Sequence, residues 1–482
     1  MFTAILAGCQ TKDNHKYGIG NKGKLPWNIP GDMKHFKTTT LDGGAGSICI
    51  MGGSTYRSIV GTDEKKKYNP LPGRDVIVMT HKMWSFQGHG FRYKYDEKKE
   101  SGIKDSIDIA RSVDACIDLC QKYRKGRKVF ICGGAQIYKL FEDWIQTYIF
   151  THVKAEYECD TFITLDLFPV RDFTIVSNLP FDEYSIVTYE RKNPEEQAYL
   201  GLLKDILEKG KKKTGGRNTN SRYLFGRTLR FDLRNGTFPL LTHRNTWLKG
   251  VFEELMFYCA GDTNVKNLSS KGVKVWDANT TREALNKRGL EYLPEFDMGP
   301  TYGFNMRHFG AEYKDCHTDY TGKGYDQLEY VLKILKTNPK SRHIKICLWD
   351  PSTVEKSSLP PCLYDYTFDV SDDGELSCVM NQRSSDFTLA GGWNIATGAL
   401  LVYMLSAMCK LTPGELIWNI ANVHIYENQL EAVEKILRRT PRMFPKLILK
   451  NTPVSFKHWD YKNCVTLRNY APKGKVDVVM NA

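Results

Sequence analysis

The stretch NPEEQAYLGLLKDILEKGKKKTGGR, residues 193–217, constrains the fold of this chain more than any other. Pro194, Glu195 and Glu196 open a helix, because proline suits the first helical position and acidic side chains suit the positive helix end. Tyr199, Leu202, Leu203, Ile206 and Leu207 recur at helical spacing and form an apolar stripe that needs a cover. Lysines and Gly215-Gly216 close the pattern. A flexible tether would be rich in Gly and Ser, and this stretch is not. The 482 residues, too many for one ordinary core, thus divide at a helix. The expected units are residues 1–192 and residues 214–482, with a junction helix at 193–213 that belongs to the second of them.

The first unit reads as α/β, because short apolar runs alternate with helical stretches. Strand candidates are residues 3–8, 47–52, 75–80, 128–134 and 147–153. The second unit reads as α+β, with helical patterns at 247–260, 325–337, 395–410 and 425–438 and strands at 344–349, 364–370 and 375–382.

Thirteen cysteines without a CxxC pair point to free thiols, so a cytoplasmic location is expected. No run of eighteen apolar residues appears, and no membrane span is expected. The net charge of +13 is scattered, with KGKKK at 209–213 its only dense run. Nucleic acid is not expected as the main partner on such a distribution.

Three features of the first unit carry chemistry. In GIGNKGKLPWNIPGDMKHF (18–36), a shaped loop enters a helix that bears Asp32 among Trp27, Met33 and Phe36. A carboxyl group in an apolar pocket has a raised pKa and can bind a protonated heteroaromatic ring, although a lone Asp there would read as a helix cap. VFICGGAQIY (129–138) is a strand, two glycines and a helix start, which turns backbone N–H groups toward an anion such as a pyrophosphate. In LPGRDVIVMT (71–80), Arg74 is placed to clamp a carboxylate.

In this order and spacing the three resemble dihydrofolate reductase over most of residues 1–190. The resemblance implies a mixed, mostly parallel sheet flanked by helices. It implies that Asp32 binds the pterin and promotes its protonation through water, with Thr151 in support. Ile5, Ala7, Met33, Phe36, Ile59, Leu71 and Cys132 would line the folate pocket, and Arg74 would grip the glutamate carboxylate. For NADPH it implies Ala7, Ile19, Gly20, Leu25 and Trp27 near the nicotinamide. Thr55, Gly133, Gly134 and Ala135 would cradle the phosphates, and Gly52, Ser54, Gln136, Ile137 and Tyr138 would complete the cofactor site. The family's basic residues after Met-Gly are Gly53 and Ser54 here, so the phosphate load is expected to move to Thr80, His81 and Lys82.

In the second unit, Cys362 lies between prolines and a strand in LPPCLYDYTFDV (359–370). A lone cysteine is more often core than nucleophile. Yet MNQRSSDF (380–387) adds Arg383, Ser384 and Asp386, WNIATGALL (393–401) puts Asn394 at a helix start, and ANVHIYENQ (421–429) sets His424 and Tyr426 on one side of an extended stretch. With the blocks LFGRTLRFDLRNGTFPLLT, FEELMFYCAGDTN, LSSKGVKVWDAN, MGPTYGFNMRHFGAEY and RMFPKL, residues 194–482 resemble thymidylate synthase.

That resemblance implies a mixed sheet with many helices that forms a homodimer through its sheet. It makes Cys362 the nucleophile on dUMP, with 5,10-methylenetetrahydrofolate as co-substrate and no metal. Glu254 would organise relay waters, Tyr302 would assist C5 proton removal, and Asn394 would read the uracil edge. Arg217, Arg342, Arg383 and Ser384 would bind the 5′-phosphate, Arg342 from the partner subunit. His424 and Tyr426 would meet the ribose. Asp386 would bind the folate ring beside the nucleotide, and Trp276 would pack near it. Departures from the family stand at His343, Leu363, Ala421-Asn422, the LAGGW run before Asn394, and the loop GRNTNSR (216–222). They leave open a synthase-like half that is a scaffold or RNA-binding module, or one that takes dCMP. The lysine run at the seam raises the further expectation that dihydrofolate is held between the two sites.

Overall fold

Strands that alternate with helices feed a parallel sheet, and the first unit obeys that rule. The computed structural model describes residues 2–12, 16–41, 46–60, 70–80, 107–123, 127–164, 172–217 and 219–481. Two units cluster separately, Met1–Lys192 and Asn193–Ala482. In the first, the strands are β1 (Phe2–Gln10), β2 (Lys16–Gly20), β3 (Ile48–Gly52), β4 (Asp75–Met79), β5 (Ile107–Ala110), β6 (Val129–Ile131), β7 (Ile145–Val153), β8 (Thr161–Thr164), β9 (Phe173–Pro180) and β10 (Tyr184–Arg191). Helices α1 (Pro30–Leu41), α2 (Gly53–Val60), α3 (Val113–Tyr123) and α4 (Ala135–Leu140) connect them. The sheet runs β5-β4-β3-β6-β1-β7-β10-β9, with β2 bridging β1 and β8. Strands from β5 to β7 in that order pair in parallel, and β10 and β9 continue antiparallel. Gly52 and Ile131 end β3 and β6, so the glycine turns of both open at the same edge, where parallel sheets form ligand crevices.

The second unit begins with α5 (Pro194–Lys209), and α6 (Leu248–Cys259) comes after it. Its sheet contains β11 (Lys211–Arg217), β12 (Thr219–Asp232), β13 (Lys345–Cys347), β14 (Leu363–Val370), β15 (Glu375–Asp386) and β16 (Thr412–Tyr426), in the order β11-β12-β16-β15-β14-β13. Only β15 and β16 pair in parallel. The helix Gly391–Cys409 is apolar on all sides and long enough to cross a membrane by length and composition, yet it is 72% buried inside the unit. It is a core helix, the setting in which an all-round apolar helix is stable in water.

The junction helix is shorter than its sequence suggests. It stops at Lys209, and Lys211–Lys213 pair with Tyr223, Arg222 and Ser221 as an edge strand. Gly210 makes the break, because a Cβ there would collide with the carbonyl oxygen of Ile206. An edge of exposed lysines also resists pairing with another chain. Likewise the helix expected over 425–438 covers only Leu430–Leu437, since residues 425 and 426 complete β16.

Glu196 fastens α5 to the second unit. Its carboxylate is fully buried and accepts from Thr242 N at 2.6 Å, Thr242 Oγ1 at 2.7 Å and His243 N at 2.7 Å, with His243 Nδ1 at 2.9 Å. Asn193 caps the helix at Glu196 N and donates to Arg442 O at 2.7 Å. Glu196→Ala would leave these buried donors unpaired, so the second unit should lose about 3 kcal/mol in urea unfolding. Glu196→Gln, which still accepts through one oxygen, should lose less.

Candidate active sites

In the first unit, Asp32 sits in the first turn of α1 and is almost wholly buried. Thr151 on β7 donates to Asp32 Oδ1 at 2.7 Å. Thr151 is also the register partner of Ala7 on β1. Burial raises the Asp32 carboxyl above its ordinary value, against the Thr151 hydrogen bond and the charge of His35. Nearby, Trp27 is buried and its Nε1 has no protein partner among the described residues. A buried indole N–H of this kind is satisfied by water or ligand.

Ile5 and Leu71 share one apolar cluster with Phe36, Ile59 and Cys132, so the structure brings most of the expected folate lining together. Met33, in the first turn of α1, lies outside that cluster and is 51% exposed. Arg74 is buried, donating to Thr40 Oγ1 at 2.7 Å and to Leu71 O at 3.3 Å, which ties it to the end of α1.

The glycine turns meet directly. Gly52 N donates to Gly133 O at 2.8 Å. A Cβ on Gly134 would lie 3.3 Å from Thr55 Oγ1, and Gly133 has φ +109, which favours glycine. Ala135 and Gln136 begin α4 beside this cradle, with Ser54 and Thr55 in the first turn of α2. Ile19 and Gly20 end β2, and Leu25 is half-exposed in the next loop. Ile137 and Tyr138, also expected at the cofactor, are buried: Ile137 packs against Gly52, and the Tyr138 hydroxyl donates to Ile5 O at 2.8 Å. Thr80 N is held by Ala110 O at 3.1 Å. His81 and Lys82 lie outside the described residues.

In the second unit, the Cys362 backbone N–H donates to Tyr302 Oη at 2.8 Å, and Arg383 Nη2 lies 3.8 Å from Cys362 Sγ. Arg383 also donates to Pro361 O at 2.9 Å and Pro360 O at 2.8 Å, so it shapes the loop that carries the thiol. Tyr302 stacks on Tyr258 with ring centroids 5.0 Å apart. Tyr258 in turn donates to Glu254 at 3.0 Å. Glu254 also accepts from Trp276 Nε1 at 2.8 Å and Trp393 Nε1 at 2.6 Å.

Asn394 donates through Nδ2 to Gln382 Oε1 at 3.2 Å, and Trp418 Nε1 donates to the same oxygen at 3.0 Å. Asp386 accepts from Leu389 N at 3.1 Å and Gln429 Nε2 at 2.8 Å. It pairs in register with His424, whose Nδ1 is 3.0 Å from Asn422 Oδ1. The His424 and Tyr426 rings meet edge to face at 5.0 Å. Ser384 pairs with Asn422 two residues earlier. Arg342 is exposed before β13 and makes no hydrogen bond or ion pair among the described residues. The Arg217 side chain is outside the described residues.

A thymidylate synthase family model matches residues 197–482, and a dihydrofolate reductase model matches residues 4–191. A bifunctional dihydrofolate reductase-thymidylate synthase of Zea mays is 35% identical, covering 99% of this chain and 96% of its own length. Those of Paramecium tetraurelia and Plasmodium chabaudi are 34% and 31% identical, covering 92% and 99% of this chain and 92% and 96% of their own lengths. The chain belongs to the bifunctional dihydrofolate reductase–thymidylate synthase family. It joins an oxidoreductase and a methyltransferase of folate and dTMP synthesis in one polypeptide.

Sequence patterns alone miss several residues of these sites. Tyr258 stands four residues after Glu254 on one helix, a spacing that puts both on the same face. Gln382 adjoins Arg383 but reads only as strand. Arg57 donates to Ser54 Oγ at 3.2 Å, so α2 does carry a cation one turn beyond the family position at Gly53 and Ser54.

Asp32→Asn should abolish most reductase turnover and yet stabilise the first unit at neutral pH. The raised Asp32 pKa means that ionisation opposes folding: stability is full while the group stays protonated and falls as pH rises through the folded value. The stability gain of the variant should therefore vanish in acid, below the ordinary carboxylate range, when thermal unfolding is measured against pH.

Proposed function

We propose that Asp32 serves the reduction of dihydrofolate and Cys362 the methylation of dUMP. The observation that carries the synthase assignment is the Cys362 thiol, fixed by Tyr302 at its own N–H and by Arg383 at its sulfur. Cys362 would add to C6 of dUMP, which makes C5 nucleophilic. Methylenetetrahydrofolate supplies the one-carbon unit and the hydride. Glu254 would organise relay waters and Tyr302 would assist removal of the C5 proton, while Tyr258 bonds the first and stacks on the second. Arg383 and Ser384, with Arg217 and with Arg342 of the partner subunit, would bind the phosphate. His424 and Tyr426 would bind the ribose, with Asp386 and Trp276 at the folate ring. The synthase unit would act as a homodimer through its sheet.

In the reductase unit, the glycines at 52, 133 and 134 leave room that a Cβ would fill, which suits a dinucleotide backbone. NADPH supplies a hydride when bound there. Asp32 and Thr151 hold the pterin, while the buried Trp27 N–H supplies a donor for water at its edge. A cytoplasmic location accords with thirteen cysteines carried as free thiols.

The choice of uracil has its own physical basis. An indole only donates, so Trp418 forces Gln382 to present Oε1, and that oxygen in turn draws Asn394 Nδ2. Asn394 Oδ1 would then accept from N3–H of uracil, a proton that cytosine lacks. Gln382→Leu should narrow the preference for dUMP over dCMP about tenfold in kcat/KM, one mispaired hydrogen bond.

Incubation with 5-fluoro-dUMP and methylenetetrahydrofolate tests the main assignment. Mass spectrometry should find a covalent adduct on Cys362, and Cys362→Ser should give none while keeping reductase activity. An unmodified Cys362 in the unmutated chain would leave the second half as a scaffold.

A further inference from the structure

The LAGGW run that departs from the family places an indole on the buried carboxylate of the synthase site. Trp393 lies in the first turn of the helix Gly391–Cys409, and its Nε1 donates to Glu254 Oε2 at 2.6 Å. Trp276 and Tyr258 both bond the other oxygen, Oε1. Among the described residues, Trp393 is thus the only side-chain donor to Oε2.

Three glycines clear the path of this ring. Gly250 precedes Glu254 by one turn of α6, on the same face. A Cβ on Gly250 would lie 2.7 Å from Cη2 of Trp393 and 2.6 Å from Cε3 of Trp247. A Cβ on Gly391 would lie 2.6 Å from the Tyr199 hydroxyl, and one on Gly392 would lie 3.1 Å from Leu241. The helix start can therefore press against α5 and α6 closely enough for the indole to reach Glu254.

We propose that Trp393 is a positioning residue that holds Glu254 ionised and fixes Oε2 for the synthase reaction. This rests on the role assigned above to Glu254. An indole N–H cannot accept a proton, so it favours the carboxylate over the acid. The other titratable groups around Glu254 are Tyr258 on α6, Tyr302 on the helix Tyr302–His308 and Tyr366 on β14, with Cys362 and Arg383 beyond Tyr302. No cation touches the carboxylate among the described residues. Burial drives the Glu254 carboxyl upward, and the Trp393 bond is the foremost effect that opposes it.

Trp393→Phe keeps a ring and removes the donor. Measured by tritium release from C5-labelled dUMP, the acid limb of its kcat profile should move up by about one pH unit, with the dUMP KM unchanged. Gly250→Ala, which displaces the indole and removes no polar group, should move the limb the same way. On a Glu254→Gln background, Trp393→Phe should add no further loss. An unmoved limb in either soluble variant overturns the proposal, as does an equal loss from Trp393→Phe on the Glu254→Gln background. Full kcat in Glu254→Gln alone would overturn it differently, by removing the role of Glu254 on which it depends.

Discussion

A carboxylate taken out of water must be repaid in hydrogen bonds, and Glu254 is where the synthase unit meets that demand. Its partners arrive from separate elements: Tyr258 from α6, Trp276 from the segment after it and Trp393 from the core helix. Gly250 leaves the gap into which the indoles of Trp393 and Trp247 fit. Asp32 meets the same demand differently. Among the described residues one side-chain hydroxyl, from Thr151, supports it.

Parallel pairing does comparable work in both sheets. In the first unit, β1 and β7 set Ala7 beside Thr151, next to the turn that carries Asp32. In the second, β15 and β16 set Ser384 beside Asn422 and Asp386 beside His424, so two sequence motifs become one surface. Phe387 N then donates to His424 O at 2.9 Å. The Tyr199 hydroxyl donates to Phe387 O, and the Tyr199 ring stacks on Phe387 at 4.2 Å. The junction helix is therefore a brace of the synthase site, which is why its apolar stripe is so complete.

Periodicity makes that helix readable, as it does α6 and the core helix, because burial of one face or of all faces leaves a direct mark on sequence. The ends are less readable. KGKKK looks like a charged helix end, yet the chain leaves the helix at Gly210, where a Cβ would collide with Ile206 O, and Lys211–Lys213 form an edge strand. Strand β9 escapes notice because its polar and apolar residues mix on an exposed edge, as in FTIVSNLP. At the sites, residues that bear charge or a thiol are legible through their motifs. Residues that act by orienting others are not: Gln382, Trp418 and Trp393 look like ordinary core until their distances to Asn394 and Glu254 are known.

The folate side of the synthase site depends on an amide that motif reading also misses. Gln429 Nε2 donates to Asp386 Oδ2 at 2.8 Å and to Val479 O at 2.9 Å, so one group holds the carboxylate and the final segment together. Asn428 and Asn481 exchange reciprocal amide bonds of 2.8 and 3.2 Å alongside it. An amide is the side chain suited to this position because it donates twice without carrying charge. A lysine there would satisfy both acceptors but would neutralise Asp386, the residue proposed above to bind the folate ring. The segment near residue 480 is thus joined to the site by geometry that leaves the electrostatics of Asp386 intact.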